Sequence, residues 1–207
     1  MQLPSLHFPS KLEPYKGVIW FAIILMAANF FWKYDVMGDE SSRFDSIVTF
    51  WGINISAPFV WMANHITQVT YHLLTFMHYD ISIQPTNVVQ HANGHSVQII
   101  WACTGLKQAY IFICIIAFYR GPSLKKLWFI PLGLVVVYVF NIFRIAFIVA
   151  IVGKHPEWFE LLHLYLFKYL FYLIIFLMWV LWEEKIAGKW NKSPVQKKSP
   201  NEFHQGI

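Results

Sequence analysis

The chain of 207 residues is 57% hydrophobic and 19% aromatic but only 13% charged, with a net charge of +5 and a mean hydropathy of +0.46. Soluble domains carry about a quarter charged residues, so this balance excludes an ordinary soluble domain and places the chain in a membrane. The basic residues sit in short flanks and the tail, a positive-inside pattern rather than a nucleic-acid surface, and two cysteines, one of them mid-helix, exclude a disulfide framework.

Residues 1–16, with Pro4, Pro9, Pro14, Lys11 and Lys16, read as a polar, irregular leader. Residues 17–32 predict the first span, with Trp20 and Trp32 suited to the two interfaces. No small-residue cleavage site follows it, so it reads as an uncleaved anchor. A polar loop with Asp35, Asp39, Glu40, Arg43 and Asp45 comes next.

Residues 47–77 are apolar overall yet hold Asn54, Asn64, His65, Gln68 and His72. Phe59, Met62, Ile66, Val69, Leu73 and Phe76 recur at helical spacing and form one stripe. The pattern fits an amphipathic helix lying at the interface, or a polar-faced helix inside the bundle. Residues 79–101 change character: Ile81, Ile83 and Val88-Val89 precede Asn93-Gly94, and Val97, Ile99 and Ile100 follow it. This predicts a β-hairpin. An open ribbon cannot sit in hydrocarbon, where its edge groups go unpaired, so it belongs in water or against protein.

Three further spans are predicted at 104–119, 127–152 and 158–182, separated by a basic loop (Arg120, Lys125, Lys126) and a short turn at 154–157. The segment 185–207, with Lys185, Lys189, Lys192, Lys197 and Lys198, is a basic tail that belongs with the basic loop on the cytoplasmic side. The expected fold is an all-α polytopic membrane protein: one transmembrane helical domain over 17–184, with a small extracytoplasmic β-hairpin before the Cys-bearing helix. Cys103, the turn at 153–157 and the start of the last helix then share the outer face.

Cys103 stands at the start of a helix, where unpaired N–H groups and the macrodipole favour the thiolate, the reactive form. Gly105 allows another chain to approach closely. Arg144 is apolar on both sides and lies roughly 13 Å below the outer end of its helix. A cation at that depth is functional or paired, or snorkels outward to phosphates. Asn141, one turn earlier, is placed to orient the guanidinium. His163 lies in the first turns of the last helix. A thiol, a titratable ring and a permanent cation on three successive helices supply what acyl transfer needs: nucleophile, proton shuttle and oxyanion or substrate grip. Lys107 either assists Cys103 or faces headgroups.

The ordered set Ala102-Cys103-Thr104-Gly105-Leu106, Asn141-x-x-Arg144 and His163 resembles the exosortase/archaeosortase family of membrane transpeptidases, over about residues 60–182. Leu73-Leu74 followed by a β-like stretch adds to the likeness. The chain departs from the larger members in having fewer N-terminal helices, and from the commoner motif in having Thr104 where serine is usual. The resemblance implies that Cys103, Arg144 and His163 form the catalytic set, with Asn141, Thr104 and Gly105 in support. It also implies membrane-anchored protein substrates bearing a short motif, a transmembrane helix and a basic end. Membrane lipids surround the chain; no cofactor, metal or nucleic acid is expected. Two other readings stay open: an assembly or transport subunit gripping an anion through Arg144, and metal handling by His65, His72, His78, His91 and His95.

Overall fold

The computed structural model describes residues 15–38 and 47–188. Most of the leader, the charged positions Asp39, Glu40, Arg43 and Asp45, and the tail lysines from Lys189 onward lie outside the described residues.

Helix α1 (Lys16–Asp35) runs a little beyond the predicted span and ends where Val36 turns extended. It fully buries only Phe21, Ile24 and Ala28, while Val18, Ile23, Met26, Phe30 and Phe31 are exposed. Such a helix is stable only where the surrounding medium is itself apolar. Two other helices are long and apolar enough to cross a membrane: α4 (Ser123–Val152) and the continuous helix Pro156–Ala187. Half of the apolar window of α4 is buried, against 11% for α1 and 28% for the last helix, so α4 is the post around which the others pack. A Cβ at Gly133 of α4 would run into the Phe112 ring and Met178, so glycine there sets how closely the helices approach.

Helix α3 (Leu106–Phe118) has 13 residues, about 20 Å of helix, well short of the ~30 Å hydrocarbon core. Thr104 and Gly105, the first residues of the predicted span 104–119, lie ahead of the helix. The last helix is also not uniform. A 3-10 turn (Pro156–Trp158) leads to a π-helical segment (Leu161–Leu166), then α5 (Phe167–Trp182), then a second π segment (Glu183–Ala187).

Helix α2 (Ser56–Phe76) resolves the ambiguous stretch. It is not among the helices long and apolar enough to span. Its first turns meet Trp101 through Phe59, and its last turns meet the strand that follows it. The expected stripe is corrected: the buried face is Phe59, Ala63, Ile66, Thr67, Thr70 and Leu74, while Leu73 and Phe76 are exposed.

The expected hairpin is a three-stranded antiparallel meander, β4 (Ile81–Gln84), β5 (Val88–His91) and β6 (Ser96–Gln98). The loop between β4 and β5 is Pro85-Thr86-Asn87, with Thr86 and Asn87 both at positive φ. Asn93-Gly94 belongs to a three-residue loop closed by the hydrogen bond from His91 N to His95 O, with Gly94 at φ 92°. Two contacts moor this sheet to α4: His91 Nε2 to Val149 O at 2.8 Å, and Asn93 Nδ2 to Gly153 O. A second small sheet, β1 (Val36–Gly38), β2 (Val48–Phe50) and β3 (Ile53–Asn54), sits on the end of α1.

At the opposite end, Arg120 pairs with Glu183 through two guanidinium nitrogens, and Trp182 Nε1 donates to Arg120 O at 2.9 Å. Lys126 Nζ caps Ala117 O at 2.8 Å. The basic loop is thereby fixed a full length of α4 away from the sheets.

Candidate active site

Cys103 closes a 3-10 turn, Trp101–Cys103, ahead of α3 rather than within its first turn. Thr104 Oγ1 donates back to Trp101 O at 2.7 Å and accepts weakly from Leu106 N at 3.4 Å, so its hydroxyl holds the turn. Gly105 then takes φ 76°, a left-handed conformation that reverses the chain into α3. A Cβ there would lie 3.0 Å from Asn141 Cγ, so glycine serves both conformation and closeness.

That closeness has a use. Asn141 Nδ2 donates to Cys103 O at 2.9 Å. The expectation that Asn141 orients the guanidinium is corrected: it holds the backbone of the cysteine. Its Oδ1 is buried without a partner. One turn further along α4, Arg144 is 6% exposed, and its Nη2 lies 3.3 Å from His163 Nδ1. Arginine has no acceptor, so His163 Nδ1 must accept, which puts the ring proton on Nε2. Cys103 lies within electrostatic range of the guanidinium. Among the described residues Arg144 has no carboxylate partner, and its Nε is buried without an acceptor. Phe171 lies under it at 5.9 Å. Ile142, Ile145, Ala146 and Phe167 join Cys103 in one buried cluster, which keeps the local dielectric low and the cation's field strong.

His163 is half-buried and stacks on Phe159 with centroids 5.3 Å apart and planes 11° from parallel. It stands in the π-helical segment, where the widened turn re-aims side chains relative to an α-helix; such segments recur at functional sites. Nothing in Leu161-Leu-His-Leu-Tyr-Leu166 announces it. Phe159 and Phe171 were likewise missed, since aromatic residues are everywhere in this chain.

The structure thus gathers Cys103, Asn141, Arg144 and His163 around the second half of α4. It disperses the histidines of the metal reading: His65 Nε2 meets Tyr138 OH at 2.8 Å, while His91 is spent on Val149. Among the described residues no group of three or more His, Cys, Asp or Glu could hold a metal ion.

The spanning helices and this polar cluster define a multi-pass, membrane-embedded protein with a buried Cys–Arg–His constellation. The model of the transmembrane exosortase family (Exosortase_EpsH) matches residues 44–181, well over half of the chain, and the chain belongs to that family. The match takes in α2, the β4–β6 meander, the Cys103 turn, α3, α4 and nearly all of α5. No curated protein and no solved structure matches it.

Proposed function

We propose that the chain is a membrane-embedded cysteine transpeptidase or protease that cleaves the C-terminal sorting signal of exported, membrane-anchored proteins and transfers them to an acceptor. One observation carries this reading. A single helix, α4, uses Asn141 to hold the Cys103 carbonyl and Arg144 to meet His163, and that arginine has no carboxylate to neutralise it among the described residues. Family membership supports it.

As substrate enters, its scissile carbonyl draws the Arg144 guanidinium away from His163 Nδ1, which frees that nitrogen to accept a proton. The Cys103 thiol gives its proton to Nδ1, and the thiolate attacks the carbonyl carbon of the scissile peptide bond. Charge develops on the carbonyl oxygen, and Arg144 stabilises it. As the C–N bond breaks, His163 delivers the proton to the leaving amine and a thioester to Cys103 Sγ remains. An incoming amine or water then loses its proton to His163 and attacks the thioester. The C–S bond breaks and the proton returns to sulfur, so atoms and charge balance over the cycle.

The basic loop of Arg120, Lys125 and Lys126 lies at the far end of α4 from this site. With basic loops cytoplasmic, the site opens on the extracytoplasmic side of the cytoplasmic membrane. The substrate's own anchor helix packs beside the bundle and presents its membrane-proximal peptide bond. In cells making a tagged substrate, Cys103→Ala is expected to stop processing while the chain still accumulates in the membrane. Mass spectrometry of the new substrate C-terminus locates the cut and identifies the acceptor. Normal maturation in Cys103→Ala removes the nucleophile assignment.

A further inference from the structure

Next to the Cys103 turn, a cleft of about 560 Å³ opens between the end of α1, β1 and the start of α3. Lys33, Lys107, Trp101 and Ala102 line it. Asn29 does too, but its amide is committed: Nδ2 donates to Leu25 O at 3.0 Å and Oδ1 accepts from Tyr172 OH at 3.1 Å. The polar groups left over are all donors. Neither lysine has a carboxylate partner among the described residues, and Lys107 stands within electrostatic range of a third ammonium, Lys168 of α5. Trp101 is nine-tenths buried and its Nε1–H has no acceptor. The pyrrole edge of its indole faces Gly38, where an added Cβ would stand 2.8 Å from Nε1. Asp35, the carboxylate on the same turn of α1, is occupied by Trp51 Nε1 at 2.7 Å.

Like charges at the edge of a low-dielectric medium repel. One multivalent oxyanion in the cleft relieves that repulsion. We propose that this cleft binds the phosphate of a membrane phospholipid headgroup, with Lys33 and Lys107 donating to its oxygens and Lys168 adding charge. Placement favours a lipid over an acidic peptide. Lys33 lies in the last turn of a membrane-spanning helix, beside Trp32, at the depth where aromatic and basic residues meet headgroups. The exposed Phe30 and Phe31 on the same helix offer an apolar path for acyl chains. The site sits one residue from Cys103, but its occupancy does not depend on the chemistry proposed there.

The test is native mass spectrometry of the full chain in a phosphate-free sugar detergent, titrated with short-chain phosphatidylglycerol. One lipid per chain is expected. Lys107→Gln and Lys33→Gln should each weaken it about tenfold, the size of one charge-assisted hydrogen bond, while Lys107→Arg keeps it. Cys103→Ala is expected to bind as wild type does, so lipid binding and the transpeptidase reading can fail separately. Equal binding of a phosphate-free glycolipid of the same chain length overturns the proposal. So does displacement by an equal concentration of inorganic phosphate or an acidic peptide, or unchanged affinity in both Lys→Gln variants.

Discussion

Two arginines mark the opposite ends of the bundle, and the fold treats them in opposite ways. Arg120 is neutralised: Glu183 takes two of its nitrogens, and both side chains keep partial access to solvent, 36% and 21% exposed. Arg144 is more deeply buried, meets a histidine ring, has a thiol within its field and no carboxylate among the described residues, and leaves Nε without an acceptor. A cation held for structure is paired where it stands. A cation left uncompensated at depth costs several kcal/mol, and the fold tolerates that cost where charge is yet to develop. The same contrast runs through the neighbouring amides. Trp182 Nε1 simply ties a loop carbonyl, whereas Asn141 fixes the backbone of the cysteine that lies in the field of Arg144 and keeps its own Oδ1 unspent.

Substitutions that exchange these treatments sharpen the comparison. Arg144→Ala should lower substrate processing about a thousandfold, the scale of one lost oxyanion donor, with chain abundance in the membrane unchanged by immunoblot. Arg144→Lys should recover little of it, since an ammonium cannot reproduce the planar fork. Asn141→Ala should lower the single-turnover processing rate about a hundredfold, because a nucleophile displaced by about an ångström loses that much. Gly105→Ala forces a side chain into φ 76° against Asn141. It should destabilise the chain by about 1–3 kcal/mol, read as a lower midpoint in detergent unfolding, with a smaller loss of processing than Asn141→Ala. The paired change Arg120→Met with Glu183→Leu should leave processing per folded molecule at the wild-type level and shift stability by no more than about 1 kcal/mol. Loss of processing in that last variant would mean that the two ends are not so distinct.

Much of this site was legible from the chain alone, for a topological reason. Alternating crossings put the start of one helix, the end of the next and the start of the third at one face, so Cys103, Arg144 and His163 could be grouped without coordinates. Finer matters were not legible. Asn141 and Arg144 share a helix face by spacing, which suggested that one serves the other, but spacing cannot show that Asn141 reaches across to Cys103 O. The π-helical turn under His163 has no residue signature. The β1–β3 sheet is assembled from short segments on both sides of residues 39–46, none with the length or alternation that marks a strand. The face of α2 was misread because its burying residues include Ala63, Thr67 and Thr70, which an apolar stripe drawn through large side chains passes over.

The central claim is that Arg144, and not burial or helix position alone, makes Cys103 nucleophilic. The direct measurement is the rate at which a small neutral alkylating reagent labels Cys103 at neutral pH in membranes, in a Cys114→Ala background. The account predicts that Arg144→Ala slows labelling at least about tenfold, because the thiolate loses its neighbouring cation, while Arg120→Ala leaves it at the parental rate. Equal rates in all three chains would contradict it.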